Sequence, residues 1–81
     1  MDTRIAIIGI IIQDIESAEK INQILHEYND YIVGRMGIPY RERGLSVMSI
    51  VVDATMDIIG AISGKLGMIK GVSAKTISAK E

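Results

Sequence analysis

The sequence predicts an α+β fold in which two helices lie on one face of a four-stranded antiparallel sheet. Two observations predict it. Runs of β-branched residues alternate with segments of helical periodicity in the order β-α-β-β-α-β, and the 81 residues suffice for one small domain spanning residues 1–81. A chain this short buries only about 60% of its unfolded surface when it folds alone. Contact with a partner would therefore add stability.

The first half of the chain supplies a strand, a helix and a second strand. The β-branched run RIAIIGIIIQ predicts the first strand. Asp14 is a suitable N-cap for a helix from about Ile15 to Tyr28. The apolar stripe of this helix consists of Ile15, Ala18, Ile21, Leu25 and Tyr28. The segment YNDY ends the helix, and YIVGRMGIPY predicts the second strand.

The second half repeats the pattern after a turn at RERG. The run LSVMSIVVDA predicts the third strand, and Thr55 is the N-cap of a helix that begins at about Met56. Gly67 suits the left-handed position after a helix end, and GVSAKTIS predicts the last strand. This order of elements is that of a ferredoxin-like sandwich.

The two central strands are apolar on both faces. In the first strand Ile5, Ile7 and Ile11 alternate with Ala6, Ile8, Ile10 and Ile12, and in the third Leu45, Val47 and Val51 alternate with Met48, Ile50 and Val52. The sheet face remote from the helices should therefore be aliphatic, which is unusual on a soluble monomer. We expect a homo-oligomer, a dimer or a tetramer, with the interface residues Ile7, Ile11, Arg35, Val47 and Val51. The alternative, that the C-terminus covers this face, is disfavoured because the tail SAKE is short and polar.

The segment GRMGIPYRERG, residues 34–44, contains three arginines and is the most plausible place for ligand chemistry. The candidate ligand-binding residues are Arg35, Gly37, Tyr40 and Arg41. Alternation along the strand predicts that Arg35 points away from the helices, with Val33 and Gly37, whereas Ile32, Met36 and Ile38 face the core. A cation at an aliphatic boundary requires an anion, either a carboxylate such as Asp53 or a bound ligand. Arg41 and Arg43 at the hairpin tip are expected mainly in solvent.

Composition excludes several classes of function. The chain has no cysteine, its single histidine is His26, and no pair of carboxylates converges by spacing, so we expect no catalytic residue, no metal site and no cofactor. The formal net charge of −1 argues against nucleic-acid binding. The apolar run Ile5–Ile12 is too short to span a membrane, which requires roughly 20 residues, so we expect a cytoplasmic protein without membrane contact.

The continuous segment GRMGIPYRERGLSVMSIVVDATMDIIGAISGKLGMIKGVSAKT resembles a family of small proteins assigned to regulation of the iron-only hydrogenase system. Its most specific parts are RMGIPY, SIVVDAT and GKLGMIKGV. The resemblance implies a ferredoxin-like domain related to ACT domains and to the C-terminal regulatory domain of the nickel-responsive repressor. Those relatives oligomerise and bind small effectors near subunit boundaries. The histidine and cysteine cluster of the nickel repressor is missing from this sequence. The glycine that ACT domains carry after the first strand is replaced here by Gln13 and Asp14.

The sequence thus predicts a non-enzymatic, oligomeric regulatory module of ACT-like type that senses an unidentified small effector. The main alternative is an assembly module that docks another protein and binds no small molecule. Nucleic-acid binding through the arginine hairpin is a third, less favoured interpretation. A ligand bound at a subunit boundary would distinguish the first interpretation from the second.

Overall fold

The computed structural model describes residues 2–79 and has the predicted order of elements. The strands are β1 (Arg4–Ile12), β2 (Ile32–Tyr40), β3 (Leu45–Ala54) and β4 (Val72–Ser78), and the helices are α1 (Ala18–Glu27) and α2 (Met56–Gly67). Short 3-10 turns cover Ile15–Ser17, Asn29–Tyr31 and Arg41–Arg43. The strands form one sheet in the order β2-β3-β1-β4 with every neighbouring pair antiparallel, which confirms the predicted fold class.

The core lies between the sheet and the two helices and is entirely aliphatic. Its sheet side alternates along β1 from Ala6 to Ile12 and along β3 from Ile50 to Ala54, where every second residue is buried, and Met48 is partly buried against it. The buried members are Ala6, Ile8, Ile10 and Ile12 of β1, Ile50, Val52 and Ala54 of β3, Ile21 and Leu25 of α1, and Ile59, Ile62 and Leu66 of α2. The alternation predicted for the central strands is therefore confirmed.

The predicted cap of the second helix is present, whereas Asp14 caps a 3-10 turn that precedes α1, so the first helix begins later than predicted. Asp14 Oδ1 accepts a hydrogen bond from the Glu16 amide at 3.0 Å, and Thr55 Oγ1 accepts one from the Ile58 amide at 3.3 Å. The turn that follows Asp14 is 3-10 rather than α, and its three residues per turn shift the phase of the apolar stripe. Ile15 is consequently 81% exposed, so its predicted place in the buried stripe is wrong.

The left-handed glycine that follows α2 lies four residues beyond the predicted position, Gly67. Gly67 is the last residue of α2, and the Met68 amide still donates to the Gly64 carbonyl at 3.2 Å, so the helical pattern continues past Gly67. Gly71, with a φ of 76°, adopts the left-handed conformation and directs the chain into β4. The prediction that Gly67 occupies this position is therefore wrong.

A loop junction connects the two halves of the chain at one end of the sheet. It joins the segment after β1 to the segment before β4 by two hydrogen bonds. The Gln13 amide donates to the Gly71 carbonyl at 2.7 Å, and the buried Ser17 Oγ donates to the Lys70 carbonyl at 2.7 Å. The buried Ser17 hydroxyl is thereby satisfied, which helps to fix the start of α1 relative to β4.

Surface contacts also connect α1 to α2. Lys65 Nζ donates to Glu27 Oε2 at 3.1 Å and lies 5.0 Å from the centroid of the Tyr28 ring. The neighbouring Tyr28 and Glu27 side chains raise the pKa of Lys65 above its ordinary value. Both members of the ion pair are about half exposed, so this contact makes only a small contribution to stability.

Candidate functional site

The outer face of the sheet, which the helices do not cover, carries a continuous set of apolar side chains. Strand register and alternation place ten large hydrophobic residues on it: Ile5, Ile7, Ile11, Met36, Ile38, Tyr40, Leu45, Val47, Val51 and Ile77. Their exposure is substantial, with Ile7 45% exposed and Met36 62% exposed. Contiguous apolar surfaces of this kind on small soluble proteins mark sites of interaction.

Three cross-strand rows organise the centre of the outer face. One row contains Ile7, Val51 and Gly34, the next Gly9, Ser49 and Met36, and the third Ile11, Val47 and Ile38. Four of the predicted interface residues, Ile7, Ile11, Val47 and Val51, therefore lie together on this face. Two charged residues border them, Asp53 near the end of β3 and Lys75 on the edge strand β4.

Arg35, the fifth predicted interface residue, lies on the opposite side of the sheet. It is in register with the fully buried Ile50 and therefore faces the helices, so its predicted place on the remote face is wrong. Met36 and Ile38, predicted to face the core, lie on the outer face instead. The cause is a β-bulge between Ile32 and Gly34, where two steps along β2 correspond to one along β3.

The helix-facing side of β2 forms an open groove with α1, termed here the α1–β2 groove. Its polar end, of about 420 Å³, is lined by Asn22, Leu25, His26, Asn29 and Arg35. Next to it is an apolar hollow of about 220 Å³ whose lining includes Ile21, Asn22, Gly37, Pro39 and Met48. Of the predicted ligand residues, Arg35 thus lines the polar end and Gly37 the apolar hollow, and Asn22 lines both.

The charge in this groove is unbalanced. Within residues 2–79 the guanidinium of Arg35 forms no ion pair, and none of the five residues around the polar end is acidic. Asn22, His26 and Asn29 add side chains that can donate hydrogen bonds. The sequence predicts for His26 only a place on the polar side of the first helix. Nothing in the local pattern indicates that it lines the same groove as Arg35.

Tyr40 and Arg41, the other predicted ligand residues, lie elsewhere. Tyr40 is on the outer face near the hairpin, and its hydroxyl donates to Glu42 Oε2 at 3.5 Å. Arg41 lines an end groove of about 690 Å³ between the β1–α1 loop and the β2–β3 hairpin, together with Gln13, Asp14 and Glu16. The four predicted ligand residues are therefore divided among three surfaces.

Clusters of metal-ligating side chains and helices of membrane-spanning length are both missing from residues 2–79. Across residues 2–79, no three side chains of His, Cys, Asp or Glu come close enough together to hold a metal ion. In the same range, neither helix has the length and apolar character that crossing a membrane requires.

Comparison with protein families identifies the chain. Residues 4–76 match the family described as "TM1266-like: Iron-only hydrogenase system regulator, putative". The chain belongs to this family. The uncharacterized protein TM1266 from Thermotoga maritima is similar over 98% of this chain and 100% of its own, with 35% sequence identity and a TM-score of 0.93. The resemblance noted from RMGIPY, SIVVDAT and GKLGMIKGV is confirmed.

More distant structures share the fold alone with this member of the TM1266-like family. A formyltetrahydrofolate deformylase from Pseudomonas putida KT2440 matches 96% of this chain with 29% of its own, at 12% identity and a TM-score of 0.66. The divalent ion tolerance protein CutA1 from Ehrlichia chaffeensis matches 100% of this chain with 86% of its own, at 18% identity and a TM-score of 0.52. A comparison with curated protein sequences gave no match.

Proposed function

We propose that this chain is a non-enzymatic, cytoplasmic regulatory module that self-associates through the outer face of its sheet and senses a small effector. The regulated system is the iron-only hydrogenase system named in the description of its family. The observation that carries the proposal is the continuous apolar outer face of the four-stranded sheet.

Covering the outer face by a second copy is energetically favourable. Complete burial of an exposed isoleucine, valine or methionine stabilises by about 1.5–3 kcal/mol, so covering the exposed half of each side chain contributes roughly 1 kcal/mol. Without Tyr40 and the edge-strand residue Ile77, each copy buries eight aliphatic side chains. Two copies then gain roughly 16 kcal/mol, which exceeds the roughly 4–15 kcal/mol that association costs in lost translational and rotational freedom.

Sedimentation equilibrium at micromolar concentration tests self-association directly. We expect a mass that is a multiple of the 8.8 kDa chain, because the apolar outer face is too large to remain in water at such concentrations. A homogeneous 8.8 kDa species across the concentration range would contradict the proposal.

The α1–β2 groove is the proposed effector site. Its polar end presents the unpaired guanidinium of Arg35 beside Asn22 and His26, and the adjacent hollow at Gly37 is apolar. An arginine fork binds a carboxylate by two parallel hydrogen bonds. The groove therefore suits a small organic anion whose acidic group meets Arg35 and whose apolar part lies toward Met48.

Replacement of Arg35 by leucine is expected to remove a bound anion without changing assembly. The substitution keeps apolar contact in the groove but deletes the charge, and Arg35 lies on the opposite face from the proposed interface. Native mass spectrometry of the purified protein measures retained ligand and subunit number in one experiment. We expect the ligand to be lost and the subunit number to be unchanged.

The matched control is Arg43→Leu, which removes the same charge from the exposed hairpin tip. We expect that variant to retain the ligand. If Arg35→Leu retains the ligand while Arg43→Leu or Arg41→Leu loses it, the site is at the hairpin and the groove assignment is wrong.

A second candidate function is docking of another protein without a small ligand. The observation that favours it is apolar exposure outside the outer face, since Ile15 is 81% exposed and Met68 is 87% exposed. Ile15 also lines the end groove. A purified oligomer that retains no small molecule in native mass spectrometry would favour this docking function over effector sensing.

A further inference from the structure

We propose that two copies pack outer face against outer face about a two-fold axis that runs along β3, with Met36 of each copy seated over Gly9 of the other. This inference rests on the proposed self-association and adds to it the symmetry and the residues in contact. It follows from the pattern of large and small residues in the three central rows of the outer face.

The outer face contains two hollows within its apolar surface. Gly9 lies in the middle of β1 between Ile7 and Ile11, and a Cβ atom placed on it would meet nothing within 4 Å. Gly34 on β2 is equally open. A glycine inside a strand often marks a bulge, which accounts for Gly34, or a place where another backbone approaches closely, which we infer for Gly9.

The same face carries projecting side chains that match these hollows. Met36, 62% exposed, stands on β2 in the row of Gly9, and Ile7, 45% exposed, stands on β1 in the row of Gly34. In both rows β3 lies between the small residue and the large one. Each hollow is therefore separated from its matching side chain by two strand spacings, with β3 at the midpoint.

A two-fold axis along β3 places each hollow of one copy opposite a large side chain of the other. When identical faces meet, the two-fold axis lies in the plane between them, and an axis along β3 places β1 of one copy against β2 of the other. Gly9 then faces Met36, Gly34 faces Ile7, and Ile11 faces Ile38. Large side chains meet glycines in the first two pairs, so the sheets can approach with few voids.

An axis across the strands through the Gly9 row fits less well. It would place Gly9 against Gly9, leaving a void, and Lys75 against Lys75, which repel each other. An axis along β3 instead leaves β4 and its lysine outside the overlap, in water. Packed sheets cross at about 30°, so the axis is tilted by about 15° from β3 and crosses it near Ser49, which separates the two copies of Asp53 near the end of that strand.

The overlap is large enough for a specific interface. Ten residues of β3 at about 3.3 Å each and three strands that each occupy a width of about 4.8 Å give a planar area of roughly 475 Å² per copy. The accessible area is larger because the side chains stand above the sheet. It approaches the standard interface of about 800 Å² per partner.

A size-swap experiment tests the pairing. Gly9→Leu fills the hollow that Met36 of the other copy would occupy. The resulting steric overlap should raise the dimer dissociation constant about tenfold. Met36→Ala removes the opposing side chain and should weaken association by a smaller factor. The double variant restores a large side chain against a small one, and we expect its dissociation constant to return to within about threefold of wild type.

Sedimentation equilibrium measures all four proteins, and circular dichroism of the dilute monomers verifies that each variant is folded. Gly9→Leu with unchanged association, or a double variant no tighter than Gly9→Leu alone, would overturn the proposed pairing while leaving self-association intact. A wild-type protein that is monomeric throughout would instead contradict the proposed function itself.

Cross-linking locates the axis independently of affinity. The chain has no cysteine, so Ser49→Cys introduces a single thiol at the proposed axis, and Ser73→Cys introduces one on β4, away from its own symmetry mate. A short bifunctional maleimide should link two copies through Cys at position 49 rapidly and through Cys at position 73 slowly. The reverse order would overturn the placement of the axis on β3.

Discussion

Replacement of Ile7 by lysine is expected to convert the oligomer into a folded monomer. Ile7 stands on a central strand of the outer face, next to Val51 on β3 and Ile77 on β4. An ammonium group enclosed there by a second copy has no anion in its own row, and an uncompensated buried charge costs several kcal/mol, which raises the dissociation constant about a thousandfold or more. In the separated chain the same lysine is solvated, because its position is 45% exposed.

The matched control for this change is Ile15→Lys, which introduces the same charge at an isoleucine that is 81% exposed and lies outside the outer face. Sedimentation equilibrium should give the monomer mass for Ile7→Lys and the wild-type mass for Ile15→Lys. If Ile7→Lys sediments as wild type does, the outer face is not the interface. If only Ile15→Lys dissociates, assembly instead uses the end groove.

Replacement of Gly71 by alanine is expected to lower the free energy of unfolding by about 3 kcal/mol or more. A left-handed φ costs a non-glycine residue about 1–2 kcal/mol, and an added Cβ would lie 2.6 Å from Asp14 Cβ and 3.2 Å from the Asp14 amide nitrogen. The backbone must shift to relieve this overlap. The shift would strain the hydrogen bonds of the loop junction, each of which contributes about 1 kcal/mol.

Chemical denaturation measures this effect, and Gly60→Ala is the control. Gly60 lies inside α2, and a Cβ atom added to it would meet nothing within 4 Å. Alanine there should therefore raise the free energy of unfolding by up to about 1 kcal/mol through helix propensity alone. The two substitutions are therefore expected to change the free energy of unfolding in opposite directions. A Gly71→Ala protein as stable as wild type would show that the loop junction tolerates a side chain.

The features that local pattern determines were predictable. β-branched alternation identifies which residues of β1 and β3 face the core, and side-chain oxygens at Asp14 and Thr55 identify where turns begin. Both follow from interactions within a few residues of the chain, so the order of elements along the sequence and the apolar outer face could be derived without coordinates.

The side on which Arg35 lies could not be derived in the same way. A single bulge reverses the alternation of a strand, and its position depends on pairing with β3, which is far along the chain. A signal existed in Gly34, because glycine inside a strand often accompanies a bulge. The presence of His26 and Arg35 in the lining of one groove depends on how α1 packs over β2, and no sequence spacing encodes that arrangement.

Which glycine near the end of the second helix adopts the left-handed conformation could not be predicted from the sequence either. Gly67 and Gly71 are both compatible with a helix end, and local preference does not distinguish them. The distinction comes from the close approach of Asp14, which leaves no room for a side chain at Gly71. That contact joins opposite halves of the chain.

The placement of Tyr40 gives this protein a built-in optical signal. The chain contains three tyrosines and neither tryptophan nor phenylalanine, so its near-ultraviolet absorption and intrinsic fluorescence come from tyrosine alone. Tyr28 and Tyr31 lie close together beside α1, with ring centroids 6.3 Å apart, whereas Tyr40 stands by itself on the outer face. Changes at that face alter the surroundings of one chromophore while the other two remain a constant background, so the native protein can be observed without a dye or label.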